Sequence, residues 1–437
     1  MVYSKRRFCG NNHTRKIRPR IGTICGKIRR ANHQGWKIIE VYGSPFDRGF
    51  AHGYLLYRDL SKLLRAFPSF FNETYDASDY SWFQRICKRQ IDPYVESEYP
   101  EYYTELRGMV AGAKHRGVHI SLAFLIEWNS FLSVNGILPS SKNDLPRHQR
   151  CSAFIATGST TAHGDIVMAH NTHDFFSQAP FSKIVQYMTP EKGHTFCMQT
   201  MPGLLSSSTD WFLTGAGLMG CESTIGDIRI TPDFANAPYF CRIRDCMQYA
   251  TSLDQCIHFM GHCNAGDYPC TWLLGDTRSG EIMLLEVGAG DERYVDRTKN
   301  GVFYTANIAT GLRHASKRQW DVTTTSGARS ARLHELLTKT HKGNIDATVA
   351  KRILADHYDM WLEKEHKGYR TICRHADSEG DIPAKANAIG TIDGKVVTTE
   401  MAKQMRFWGR YGSSCGSGHT KSHDISMPKV GAWVMVR

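Results

Sequence analysis

The chain has 437 residues, 41% of them apolar and 11% aromatic, which is enough for a large buried core and is not the composition of a disordered chain. No run of about 18 apolar residues occurs, so no membrane-spanning helix is expected, and Met1 to Cys9 lacks the apolar stretch of a secretory signal, so an intracellular protein is expected. The formal net charge of +12 gathers at one end, because residues 1–37 hold 11 Lys or Arg and no Asp or Glu.

A basic, flexible tail over residues 1–37 is therefore expected, and nucleic acid or an anionic surface are its natural contacts; a plain solvated tail is the other reading. The body beyond it is nearly charge-balanced. Thirteen cysteines is an odd number. With no Cys-x-x-Cys pair they signal neither a disulfide framework nor a zinc ribbon, and most are expected to be reduced thiols. The sequons at Asn12 and Asn72 carry no weight in that setting.

In chain order, Trp36 to Tyr42 reads as a strand, Gly43 to Gly49 as a turn, and Phe50 to Leu64 as a helix. Ser81 to Ile91 reads as a helix stopped by Asp92-Pro93, since the residue before proline disfavours the helical region. Tyr102 to Lys114 is a helix with a basic last turn before Gly117. Ser121 is placed to cap a helix from Leu122 to Phe131, on which Trp128 and Asn129 read as packing residues. Residues 139–150 are polar and contain Pro139 and Pro146, so they read as a loop closing a mostly helical part, 38–150.

From Cys151 the character changes. Strands are expected over 151–156, 164–171, 184–188, 194–199, 211–213, 218–221, 272–274, 281–286 and 301–305, with helices over 241–251, 253–260, 328–338 and 347–355. The fold class is α+β, with sheets covered by helices.

Cys151 opens the first of these strands, and His170-Asn171 closes the second. If the two pair antiparallel, all three residues meet at one end of a sheet, which suits a thiol nucleophile with polar partners. The competing reading is a buried cysteine acting as a small hydrophobe. The loop before Cys151 favours the first reading. Cleavage of the Arg150–Cys151 bond in an exposed, proline-containing loop would leave Cys151 with a free α-amine of pKa roughly 7.7–8.0. One residue would then supply both nucleophile and base, as in enzymes with an N-terminal threonine.

The run from Cys151 to His173, then Met201-Pro202-Gly203, Asp210 to Leu218, Glu222 to Gly226 and Asn264 to Asp276, resembles the phospholipase B-like proteins. Gly43 to Gly49, His52-Gly53, Asp356 to Asp359, Arg370 to Cys373 and Arg410 to Gly412 are shared with the wider penicillin-acyltransferase-like group, so the resemblance covers about residues 36–420. It implies an N-terminal-nucleophile hydrolase: a four-layer αββα sandwich that cleaves itself before the nucleophile, with 151–437 as the nucleophile-bearing chain of the same domain.

Carried over, Cys151 is the nucleophile, His170 and Asn171 match the family's His-Asn, and Asn264 lies in the segment that supplies an oxyanion-binding asparagine. Thr224 and Arg329 fall at supporting positions, with His173 and Asp174 beside them. For His170 a structural role stands as the alternative, and for Arg329 a solvated charge at a helix start. The sequence departs from the family at His173, where a Trp is usual, and at Cys270, where a second Asn is usual; loss of one oxyanion donor typically costs about 10²–10³ in rate.

The expected activity is hydrolysis of an acyl ester or amide, with a lipid-like substrate. The alternatives are an amidase or acyltransferase on N-acyl compounds, and a catalytically impaired descendant that binds through the tail. No cofactor and no metal are expected. Asp356-His357-Tyr358-Asp359 reads as a helix-ending loop, because no partner cluster shares metal-ligand spacing with it. Gly412 to Gly418 is Gly-rich but follows no phosphate-binding pattern.

Overall fold

The computed structural model describes residues 24–74, 77–134, 151–207, 210–226, 228, 231–313, 319–375, 389–418 and 429–437. Most of the expected tail, the sequon at Asn12, and the loop 139–150 with Arg150 lie outside the described residues.

The chain opens with strands β1 (Gly26–His33) and β2 (Trp36–Gly43). Helices α1 (Pro45–Leu55), α2 (Tyr57–Thr74), α3 (Ala77–Ile86), α4 (Asp92–Glu98), α5 (Pro100–His115), α6 (Leu122–Asn129) and α7 (Phe131–Val134) follow. Strands then dominate: β3 (Cys151–Gly158), β4 (Gly164–Phe175), β5 (Ile184–Pro190), β6 (Phe196–Thr200), β7 (Trp211–Thr214) and β8 (Leu218–Thr224). Helices α8 (Tyr239–Tyr249) and α9 (Leu253–Gly261) precede β9 (Cys270–Asp276), β10 (Glu281–Val287), β11 (Arg293–Thr298) and β12 (Gly301–Thr305). The remainder comprises α10 (Thr325–Glu335), α11 (Ala347–Leu354), β13 (Tyr358–Asp359), β14 (Lys364–Glu365), β15 (Ile389–Thr398), α12 (Thr399–Lys403), β16 (Phe407–Tyr411) and β17 (Val434–Val436).

The protein is α+β, built on two large sheets. One has nine strands in the order β1-β2-β5-β6-β7-β8-β9-β10-β11, and the other six in the order β12-β3-β4-β15-β16-β17. Strand alternation decides what each face meets. Ala153, Ile155, Ile166 and Met168 of the six-stranded sheet share a core with Trp211, Leu213, Met219 and Leu273 of the nine-stranded sheet. The alternate residues Phe154, Ala156, Val167 and Ala169 pack on Leu333 of α10 and on Ile353 and Leu354 of α11. On the far face of the larger sheet, Ile39, Met188, Phe212 and Trp272 pack against Ala51, Ile243, Met247 and Cys256 of α1, α8 and α9.

The N-terminal part and the part after Cys151 build one sheet together, since β2 pairs in parallel with β5. Three sequence expectations need correction. Residues 26–33 belong to an edge strand rather than a tail; edge strands tolerate Lys and Arg, which discourage pairing with another chain, and Lys27 and Arg29 reach Glu40 on β2. The helix expected from Phe50 starts at Pro45, because the Ser44 side chain accepts from the Asp47 N–H and proline suits the first turn. Pro93 does not stop the chain's helical course: a wide π-helical turn, Cys87–Ile91, leads directly into α4, where proline occupies the first turn.

Helices α1 and α5 approach backbone to backbone. A Cβ added at Gly49 or Gly53 would lie 2.0 Å from the carbonyl oxygen of Glu105 or Met109, and one at Gly112 would lie 2.0 Å from that of Phe50. Glu105 sits in this contact and accepts from Arg48 Nε (2.6 Å) and from Arg244 of α8 (2.8 Å), so α1, α5 and α8 share one buried ion-pair network.

Candidate active site around Cys151

Strands β3 and β4 pair antiparallel, with Cys151 opposite Thr172 and Ala153 opposite His170. The expected meeting at one sheet end is therefore present. Alternation then sorts the side chains. Cys151, His170, Thr172 and Asp174 share the parity of the inter-sheet residues Ala153 and Met168, whereas Asn171 and His173 share that of Ala169, which faces the helices.

Asn171 is thus corrected from a catalytic partner to a staple behind the strand. Its Nδ2 donates to the carbonyls of Leu354 (2.8 Å) and Ile372 (2.9 Å), and its Oδ1 accepts from Ser414 Oγ (2.5 Å). His173 also donates to the Ile372 carbonyl, from Nε2 (3.1 Å).

Cys151 is buried and held at both main-chain groups. Its N–H donates to Asn307 Oδ1 (3.4 Å), and its carbonyl accepts from an Arg329 guanidinium nitrogen. Arg329 also donates to Ser152 Oγ (3.0 Å) and, from its other terminal nitrogen, to Asn307 Oδ1 (2.9 Å). Asn307, at φ 71°, occupies the left-handed region that asparagine tolerates. Its Nδ2 donates to Ser223 Oγ and to the Thr224 carbonyl, both at 2.9 Å. Arg329 and Thr224, both singled out from the sequence, are brought to Cys151 in this way, through an asparagine that the sequence reading did not single out.

Arg329 is fully buried and forms no ion pair with a carboxylate among the described residues. Burial pulls its guanidinium down to about 9, and the charge of Arg374 acts the same way. Burial pushes the Cys151 thiol well above the ordinary cysteine range, helped by the carboxylates of Asp210 and Glu222; the His173 backbone N–H and the Lys395 ammonium act against them. Lys395 lies in a buried network on the inter-sheet face, donating to Asp393 Oδ1 (2.6 Å), Gln199 Oε1 (2.5 Å) and Thr172 Oγ1 (2.7 Å).

His170 Nε2 donates to the Glu222 carbonyl (2.9 Å), which fixes the tautomer and leaves Nδ1 as the acceptor. Burial holds this imidazole neutral, far below the usual histidine range, with Lys395 adding to the effect. Asn264 is not free to serve an oxyanion. Its Nδ2 donates to the carbonyls of Gly288 (3.0 Å) and Gly290 (2.7 Å), while its Oδ1 accepts from the Gly266 N–H (2.8 Å). Cys270 is buried opposite Thr224, whose hydroxyl hydrogen-bonds the Tyr268 hydroxyl.

Two strand steps beyond Thr172 on the same face, Asp174 borders a narrow pocket. Its wall is mostly apolar, with Trp128, Phe131, Met201, Leu204 and Phe240, and it includes Tyr239. The buried Tyr239 hydroxyl has no hydrogen-bond partner among the described residues. Trp128 and Asn129 also do the packing work expected of them, hydrogen-bonding the Pro202 and Gly203 carbonyls. Behind β4, a separate cluster brings His357, Cys373, His375 and Cys415 together, with ligand-capable atoms all within 4.8 Å of one another. The sequence reading missed it because its members are 58 residues apart at the extremes, and only Cys373 and His375 are close in sequence.

No protein-family model matches the chain. Over 282 residues it is 22% identical to an uncharacterized protein of Archaeoglobus fulgidus, a match covering 60% of this chain and 45% of the archaeal protein. The chain thus spans less than half the length of that relative, and the similarity carries no function with it. No helix among the described residues is long and apolar enough to cross a membrane.

Proposed function

We propose that the protein is a self-processing N-terminal-nucleophile acyl hydrolase with an αββα sandwich, and that Cys151 is its nucleophile. The observation that carries this reading is the clamp on a strand-opening cysteine: Asn307 on its nitrogen and Arg329 on its carbonyl. A buried guanidinium without a carboxylate is costly, and a cysteine acting only as a small hydrophobe needs no such clamp. The pairing of Cys151 with Thr172 and the shared inter-sheet core fit the same reading.

In the precursor the Cys151 thiol attacks the Arg150 carbonyl. The main-chain nitrogen of Cys151 leaves with the proton, and water hydrolyses the resulting thioester, freeing residues 1–150 from 151–437. The new α-amine stays at Asn307 Oδ1. In turnover that amine takes the thiol proton as sulfur attacks a substrate ester or amide carbonyl, then returns it to the leaving group; water releases the acyl group. Backbone N–H groups and the Tyr239 hydroxyl, which borders the same pocket as Asp174 and has no hydrogen-bond partner among the described residues, replace Asn264 as donors to the oxyanion. The apolar pocket wall favours an apolar acyl group.

Intact-mass analysis and hydrolysis of p-nitrophenyl acyl esters test the reading together. Wild type is expected to yield chains 1–150 and 151–437 and to release nitrophenol, and Cys151→Ala to do neither. Full-length wild type that hydrolyses esters as fast as Cys151→Ala would sink it.

A further inference from the structure

We infer that His357, Cys373, His375 and Cys415 form a closed, structural zinc site behind the candidate active site. The donor set is two imidazoles and two thiols, the composition of tetrahedral structural zinc. The distances agree with such a centre. Zinc bonds of about 2.0–2.1 Å to nitrogen and 2.3 Å to sulfur, at tetrahedral angles, place two nitrogens about 3.3 Å apart and a nitrogen and a sulfur about 3.6 Å apart. Here His357 Nε2 lies 3.2 Å from His375 Nε2, and His375 Nε2 lies 3.6 Å from Cys373 Sγ and 3.4 Å from Cys415 Sγ.

Hydrogen bonding alone does not account for this packing. A ring nitrogen of neutral histidine offers either one hydrogen or one lone pair, yet three ligand-capable atoms converge on His375 Nε2. A divalent cation among the four satisfies all of them at once, and two thiolates neutralise it. Four protein donors leave no open position, which marks a structural rather than a catalytic centre. Sulfur ligands also select against magnesium and calcium.

The outer shell is of the expected kind. The Ser417 N–H donates to Cys415 Sγ (3.4 Å), and Ser417 Oγ, 2.9 Å from that sulfur, accepts from Lys367 Nζ (3.0 Å). Each cysteine also adjoins a residue that grips β4. Ile372, before Cys373, accepts from Asn171 and His173, and Ser414, before Cys415, donates to Asn171. An ion joining the two cysteines locks both segments onto the back of the strand whose Thr172 lies opposite Cys151.

The test is metal analysis of the full chain, desalted after incubation with zinc under reducing conditions. About one zinc per chain is expected for wild type, for Cys151→Ala and for Cys263→Ser, whose exposed cysteine lies outside the cluster. Cys373→Ser and Cys415→Ser are expected to retain less than about a tenth of that. Cobalt(II) added to the metal-free wild type is expected to give the intense visible bands of a tetrahedral site with thiolate ligands. Wild type that retains no zinc, zinc content unchanged in both cysteine variants, or a Cys373–Cys415 disulfide found by mass would overturn the inference. Because Cys151→Ala keeps its zinc, failure of the hydrolase reading leaves this result standing.

Discussion

Arg329 and Asn307 carry more of the site than any residue except Cys151. Arg329 spans the Cys151 carbonyl, Ser152 and Asn307, so its loss frees the Cys151 main chain on one side and removes a donor from Asn307 on the other. Arg329→Met keeps the buried stem and deletes the charge. It is expected to slow self-cleavage and ester hydrolysis about 100-fold or more, the scale of a misplaced reacting group. Asn307→Ala is expected to do the same, because Asn307 Oδ1 is the acceptor that holds the Cys151 N–H. Cleavage rates followed by gel, with thermal unfolding measured alongside, check both. Variants that unfold like wild type and cleave at the wild-type rate would show that the clamp is only packing. The residue scale also explains why His170-Asn171 misleads as a pair: adjacent strand residues point to opposite faces, so one turns toward Cys151's side and the other toward Leu354 and Ile372.

At the scale of elements, the α1–α5 contact is the most sharply specified. The Gly49–Gly53 and Gly108–Gly112 spacings place a glycine on one face of each helix at successive turns, and the backbones meet there. Gly112→Ala drives a methyl group to 2.0 Å from the Phe50 carbonyl oxygen. It is expected to destabilise by about 3 kcal/mol or more, at the upper end for overpacking. Gly117→Ala meets nothing within 4 Å and bears only the strain of φ +78°, about 1 kcal/mol. Denaturant melts of the two variants decide the point; equal losses would mean that the helices do not approach so closely. Long amphipathic helices such as α5 and the apolar strands β5 and β10 are legible in the sequence. Strand β15 is not, since Asp393, Gly394 and Lys395 break any apolar alternation, and the ion pair of Asp393 with Lys395 and the buried partners Gln199 and Thr172 make the two charges acceptable in a sheet interior. Strand β11 is hidden for the opposite reason, being polar and exposed at the sheet edge.

Over the whole molecule, buried neutral histidines couple stability to pH. His52 donates from Nδ1 to Gln186 Oε1 and accepts at Nε2 from the Gly203 N–H, both at 2.8 Å, and burial lowers it to about 4. His170 and His173 are also held well below their usual range by burial. A folded-state pKa below the unfolded one means that the unfolded chain binds more protons, so stability falls as pH drops below about 6.5. For His52 the loss continues to about 4 and amounts to about 3 kcal/mol. Asp245, raised to about 6 by burial, acts in the opposite sense below that pH. Unfolding free energies measured from pH 7.5 to 4.5 are expected to fall, with a slope shallower by about one proton in His52→Gln. Parallel curves for the two proteins would mean that His52 is not held neutral.

Composition and periodicity by themselves determined the α+β class, most helices and strands, the change of character at Cys151, and that residue as the one to watch. These properties are local, set by spacing along the chain and by the side chain's preference for core or water. Only the tertiary structure decided which of the neighbouring polar residues face Cys151, that Asn264 is spent on its own loop, and that Asn307 and Arg329 close on Cys151 from more than 150 residues away. It alone also gathered His357, Cys373, His375 and Cys415 at one point. The reason is the same in each case: hydrogen bonds and metal ligation depend on distance in space, and strand pairing brings together residues that no local pattern connects.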